Sequence, residues 1–116
     1  MKALARSILM IEMLGVSLTF ASFSFGAASN PAARRLFEAN CSMCHGPDGK
    51  GKPGHTPNFT SPRWQARHSN QRIVAAITNG VKGTMMPAWK GKLTTAQIHS
   101  LMHFIRSLNA ANSAHM

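Results

Sequence analysis

Cys41-Ser42-Met43-Cys44-His45 constrains this chain more than any other stretch. It reads C-x-x-C-H, the attachment signature of a c-type haem. On a helical turn, residues three and four apart share a face. Cys41 and Cys44 can therefore each form a thioether to one vinyl group of a single porphyrin, and His45 then reaches the iron through an imidazole nitrogen. The chain holds 2 cysteines, and both are in this motif. A bare C-x-x-C also serves as a thioredoxin-like redox pair, a zinc half-site or a disulfide. Zinc wants two further soft ligands, and no second cysteine pair exists. A thioredoxin reading wants strands around the motif, and no alternating β-rich run flanks it.

The first residues point outside the cytoplasm. Lys2 and Arg6 give a basic start, residues 8–20 form a mainly apolar stretch with Glu12 as its one charge, and residues 21–29 are rich in small side chains. That is the order of a secretory signal peptide. The apolar run falls short of the roughly 20 residues that span a bilayer, although an uncleaved anchor is the other reading. Small residues at the −3 and −1 positions allow cleavage after Ala21 or after Ala28; the second is favoured because helix-like sequence begins just beyond it. The chain thus divides into a signal peptide, 1–28, and one small domain, 29–116.

Removing residues 1–28 from the 116 leaves 88, too few to bury a large core unaided. A covalently held haem would add a large apolar body to that core. Of the 13 lysines and arginines, all but Lys2 and Arg6 remain, against only Glu38 and Asp48.

The domain reads as helices joined by irregular loops. Pro31 opens a first helix with Asn30 as its cap. From Gly46 to Pro62 the glycines and prolines break any regular element. Residues 70–78 read as a helix with Ile73, Val74 and Ile77 on one face, stopped by Asn79-Gly80. A second loop, 81–92, holds Met85, Met86, Pro87 and Trp89. Thr94 or Thr95 caps a last helix whose apolar stripe is Ile98, Leu101, Met102, Ile105 and Leu108. The tail beyond is expected to fray.

A haem iron held by one histidine has a sixth position to fill. Met/His ligation is usual in electron-transfer cytochromes c and raises the reduction potential. The second loop offers the sulfurs of Met85 and Met86. Both could instead fill core, but neighbours in extended chain point opposite ways, so one of the pair is expected as the ligand. The residues alone lean towards Met86, beside the stiffening Pro87.

From these motifs the chain resembles the class I cytochromes c, and the resemblance covers nearly all of residues 29–116. Residues 34–41, RRLFEANC, resemble the family's first helix entering C-x-x-C-H, and 46–51, GPDGKG, the loop that follows. Thr56-Pro57-Asn58-Phe59 is similar to the segment whose proline carbonyl accepts a hydrogen bond from the iron-binding imidazole, which assigns that role to Pro57. Residues 83–89, GTMMPAW, resemble the axial-methionine loop and select Met86. Leu101 and Phe104 fall where the last helix crosses the first. One departure is Ala33, where the family usually has glycine. The resemblance implies an all-α cytochrome c fold: three to four helices and irregular loops around one covalently bound haem c with an exposed edge.

Other residues admit plainer readings. His99 and His103, spaced i, i+4, make half a metal site, but they flank the apolar stripe and read as a solvated face. His55, His68 and His115 have ligand chemistry without a ligand loop. Trp64 and Trp89 read as haem-pocket packing, with indole N–H groups suited to propionates. Lys50, Lys52, Lys82, Lys90 and Lys92 lie in the two loops that would surround the haem edge, where positive charge steers an acidic redox protein into place; a merely solubilising surface is the alternative.

The expected role is that of a periplasmic one-electron carrier between redox proteins, not an enzyme, with no nucleic-acid partner and no small-molecule substrate. The expected site is Cys41, Cys44, His45, Pro57, Met86 and Trp89, with His45 and Met86 on the iron. Membrane contact is expected only through partner complexes. The main alternative is a haem c subunit accepting electrons within a periplasmic dehydrogenase complex. A peroxidase or a ligand sensor needs an open iron site, which the Met86 loop would close.

Overall fold

The computed structural model describes residues 30–110. The expected signal peptide, both cleavage sites, the tail beyond 110 and His115 lie outside the described residues. Five helices form: α1, Pro31–Asn40; α2, Ser42–His45; α3, Pro62–Arg67; α4, Asn70–Asn79; and α5, Thr95–Ser107. Among the described residues there is no strand, only an isolated bridge between Lys90 and Leu93. The all-α expectation holds. The helices outnumber the three to four expected because two are short: the motif's own turn, α2, and the six-residue α3.

The starts of α1, α3, α4 and α5 follow from capping. A helix leaves its first N–H groups unpaired, and a short polar side chain accepts from one of them. Asn30 accepts from Ala32 with Pro31 in the first turn, and Ser61 accepts from Trp64 with Pro62 in the same role. Ser69 accepts from Arg72. Thr94, not Thr95, caps α5, in a reciprocal capping box with Gln97.

The core is the meeting of α1, α4 and α5. α1 contributes Ala33 and Phe37, α4 contributes Ile73 and Ile77, and α5 contributes Ile98, Leu101, Met102, Phe104 and Ile105. Phe37 is fully buried, with its ring 5.1 Å from Phe104 and 6.4 Å from Phe59, centroid to centroid. Ala33 is buried in the same cluster, so the methyl that replaces the family's usual glycine is accommodated within the core.

One polar knot ties the outer elements to this core. Gln65 is the buried polar side chain of α3, and its Nε2 donates to the carbonyls of Phe59 (2.7 Å) and Ile105 (2.9 Å). Arg106 of α5 donates to the Gln65 side chain and carbonyl, both at 2.8 Å, to Asn70 at 2.7 Å, and to the His68 carbonyl. A buried amide is tolerated because its donors and acceptor are all paired. Through it α3, the start of α4 and the end of α5 are held together.

Candidate functional site

Cys41 closes α1 and α2 carries Cys44 and His45, so the motif sits on helical turns continuous with the core helix. The Cys41 carbonyl accepts from the His45 N–H at 2.9 Å. Cys41 is half-buried, Cys44 is exposed, and the two form no disulfide. Burial, and secondarily the neighbouring Cys44, push the Cys41 thiol up to about 11. Burial also lowers the His45 pKa. Burial thus favours the neutral imidazole, which is the metal-ligating form.

The His45 ring stacks on Phe59, centroids 4.8 Å apart and 25° between planes. Its Nδ1 is buried with no hydrogen-bond partner. Such an orphan costs about 1–3 kcal/mol.

The loop after the motif folds back against it. Gly51 donates to the His45 carbonyl at 2.8 Å. Thr56 Oγ1 donates to the Cys44 carbonyl at 2.9 Å and accepts from Lys52 at 2.7 Å. A Cβ on Gly51 would lie 2.3 Å from the Pro57 carbonyl oxygen, and Gly51 has φ +68°. Only glycine fits there. Pro57 is thus brought beside the His45 turn, one residue's width away, but no hydrogen bond joins its carbonyl to Nδ1. The unpartnered donor and this carbonyl are chemically complementary.

The methionine loop hangs from the end of α4. Trp89 donates to the Ile77 carbonyl at 3.0 Å and Lys90 to Thr78 at 3.1 Å, satisfying carbonyls that a helix end leaves open. Within the loop, Val81 donates to the Met86 carbonyl and Met86 to Thr84 Oγ1. A Cβ on Gly80 would come within 2.7 Å of the Met86 carbonyl oxygen, so the chain reverses tightly there. The two methionines part: Met85 is 95% exposed, while Met86 packs against the core. Trp89 also packs against the core, with Lys92 Nζ 5.6 Å from its ring centroid.

Trp64 also packs against the core. It stands between Phe59 (4.7 Å) and His68 (4.4 Å, 18° between planes) on α3. His99 and His103 are exposed, and among the described residues no group of three or more metal-ligating side chains converges. A groove of about 570 Å³ along α4 and α5, lined by Val74, Thr78, His99 and Met102 among others, includes none of the motif residues. Among the described residues, no helix is long and apolar enough to cross a membrane. Sequence reasoning missed α3 and the knot around Gln65. The Ser61-Pro62 pair was the available signal for α3; nothing local marks Gln65 as buried.

The residues fit haem c. Two cysteines lie a turn apart, an imidazole follows with its Nδ1 buried and its ring braced, and a methionine loop is tethered to the core.

Solved structures share this fold. The KustC0563 c-type cytochrome matches with a TM-score of 0.61 at 30% identity, over 66% of this chain and 96% of that one. Cytochrome cL of Methylophaga aminisulfidivorans matches at 0.57 and 27% identity, over 68% and 52% respectively. Among curated relatives, the cbb3-type cytochrome c oxidase subunit FixP of Azorhizobium caulinodans is 38% identical over 89 residues, 72% of this chain and 30% of that protein. FixP of Bradyrhizobium sp. (strain ORS 278) is 36% identical over 78 residues, 66% of this chain and 27% of the relative. The chain thus spans under a third of the length of these relatives. The family model described as cytochrome c oxidase, cbb3-type, subunit III covers residues 28–105. The chain belongs to that family and is a c-type cytochrome domain whose cofactor is one covalently bound haem c.

Proposed function

We propose that this domain is a one-electron carrier on the periplasmic side of a membrane, its haem held by Cys41 and Cys44 and its iron ligated by His45 and Met86. Haem supplies the redox couple, and the chain supplies ligation, orientation and exclusion of water. The observation that carries the reading is the parting of the two methionines: Met86 is drawn inward on a loop tethered to α4, and Met85 faces out. With haem bound, the Pro57 carbonyl becomes the acceptor for His45 Nδ1, which is buried and unpartnered beside it, and Trp89 packs the methionine side. The basic loops, with Lys50, Lys52, Lys82, Lys90 and Lys92 all exposed, favour a partner with acidic docking groups.

A second reading has a specific basis, since the relatives carrying this domain are oxidase subunits by name. In that reading the domain passes electrons within a membrane complex instead of diffusing between proteins. Co-purification with larger membrane chains supports the subunit; recovery as a free periplasmic protein supports the carrier.

The ligation is tested by two neighbouring substitutions. Met86→Ala abolishes the weak long-wavelength sulfur–iron charge-transfer band of the oxidised protein, lowers the reduction potential, and opens the iron to fast CO binding by the reduced form. Met85→Ala leaves the band in place. The reverse pattern overturns the assignment, and indifference to both substitutions removes methionine from the iron.

A further inference from the structure

From His45 a chain of ring contacts continues through Phe59 and Trp64 to His68, stacked at both ends and tilted by 56° in the middle. The His45 ring lies 4.8 Å from Phe59, Phe59 lies 4.7 Å from Trp64, and Trp64 lies 4.4 Å from His68. The inner members are buried or half-buried, and His68 is partly exposed to solvent. Every link is fixed from outside. Gln65 holds the Phe59 carbonyl, His68 Nδ1 donates to the Trp64 carbonyl at 2.8 Å, and Arg106 grips both Gln65 and the His68 carbonyl. Four rings in successive contact thus lead from His45 to a partly exposed side chain.

The surface where the stack emerges is charged in one sense. Arg63 and Arg67 are exposed one turn apart on α3, the helix that carries Trp64 and is capped by His68, and Arg72 is exposed in the first turn of α4. No carboxylate belongs to this face. Among the described residues the two carboxylates are Glu38 on α1, near Arg34, and Asp48, near Lys50. The arginine group is separate in sequence and in element from the lysines of the two loops.

Resting on the haem reading above, we infer that the α3 face is a second electron port, where an acidic redox protein docks on Arg63, Arg67 and Arg72 and exchanges electrons through His68, Trp64, Phe59 and His45. One electron leaves the ferrous iron and reduces the partner's acceptor by one; no bond forms or breaks and no proton moves. Tunnelling coupling decays more slowly through packed and bonded atoms than across gaps, and the stack leaves few gaps. Two ports let a carrier, or a domain fixed in a complex, be reduced at one face while it is oxidised at the other.

Two measurements on the haem-loaded protein test this. The first uses hexacyanochromate(III), an anionic paramagnetic probe, with amide NMR of the reduced form. Broadening is expected at residues 63–72 as well as around the lysine loops. Arg63→Glu with Arg67→Glu removes the former and spares the latter. Absence of broadening on α3, or equal binding by the double variant, overturns the docking claim. Redox-silent anionic vesicles that outcompete the probe at α3 without affecting the lysine loops make this a lipid contact and overturn the port.

The second measurement places a photo-oxidisable ruthenium complex on His68, with His55, His99, His103 and His115 changed to Gln. The rate of iron-to-ruthenium transfer falls severalfold in Trp64→Leu and recovers in Trp64→Phe. An unchanged rate in Trp64→Leu overturns the path. If Trp64→Leu loses its haem spectrum, Trp64→Phe against wild type and the arginine variants still decide. A protein that is reversibly reduced at its iron yet shows neither response refutes the port alone, whereas one without a reversible one-electron couple refutes the carrier reading.

Discussion

Two alanine substitutions in one loop isolate the contact that presses Pro57 towards His45. Gly51 and Gly54 have nearly the same backbone, φ +68° and +77°. Either alanine incurs the left-handed strain of a Cβ, roughly 1–2 kcal/mol, and either recovers about 0.4–1 kcal/mol by restricting the unfolded chain. They differ in surroundings. Around Gly54 nothing lies within 4 Å of the added methyl. At Gly51 the methyl meets the Pro57 oxygen at 2.3 Å and the Thr56 oxygen at 2.6 Å. These are backbone atoms, so the loop itself must move. Overpacking of this kind costs about 1–3 kcal/mol. The shared terms cancel, so Gly51→Ala is expected to be less stable than Gly54→Ala by that amount. In a domain of this size the difference is roughly 4 °C or more in Tm. Guanidinium unfolding of the haem-loaded proteins measures it, with equal m-values as the check on comparability. Gly51→Ala also shifts the reduction potential, because the displaced Pro57 carbonyl is the acceptor proposed for the iron-binding histidine. Equal stabilities and equal potentials refute the reasoning: the loop then gives way freely and does not position Pro57.

Haem is expected to stay with the polypeptide through denaturing electrophoresis and acid–acetone extraction, and to be lost when Cys41 and Cys44 are both changed to Ala; retention in that variant would rule out thioether attachment. Phe37→Ala is expected to cost about 3–5 kcal/mol, the range for an aromatic ring lost from a core, a large part of what a domain this small can hold. Phe37→Leu and Phe104→Leu are expected to be non-additive by roughly 0.5–1.5 kcal/mol, the worth of an aromatic pair. A cycle with no coupling would reduce their 5.1 Å approach to simple burial.

What the sequence made legible was mostly local. The C-x-x-C-H spacing is a property of one helical turn, and Asn30, Pro31, Thr94 and the 3.6-residue stripes mark their own helices. The opposite aims of Met85 and Met86 follow from extended backbone at a single step. The Ser61-Pro62 start of α3 was local as well, but six residues carry too little periodicity to stand out between two loops. Gln65 was illegible for a different reason. Its burial depends on Ile105 and Arg106, some 40 positions away, and a glutamine beside exposed arginines looks like surface until the chain folds. Trp64 was read with Trp89 as pocket packing, and its place between Phe59 and His68 was not legible in the sequence because it depends on how α3 folds back on the motif. Pro57 was placed by its distance from His45, and the fold brings it close without forming the hydrogen bond.

The tethering of the methionine loop to α4 carries a consequence for how the iron would become accessible. The bonds from Trp89 and Lys90 end on the last carbonyls of a ten-residue helix, and helix ends open far more readily than cores. The opposite side of the site is anchored differently: Gly51 and Thr56 bond the His45 and Cys44 carbonyls, and the Gln65–Arg106 knot ties α3 to α5. Fraying of one turn of α4 would therefore free Met86 while leaving His45 and both cysteines in register. Small molecules would reach the iron at a rate set by that helix end, and hydrogen exchange at Trp89 and Lys90 would keep time with it.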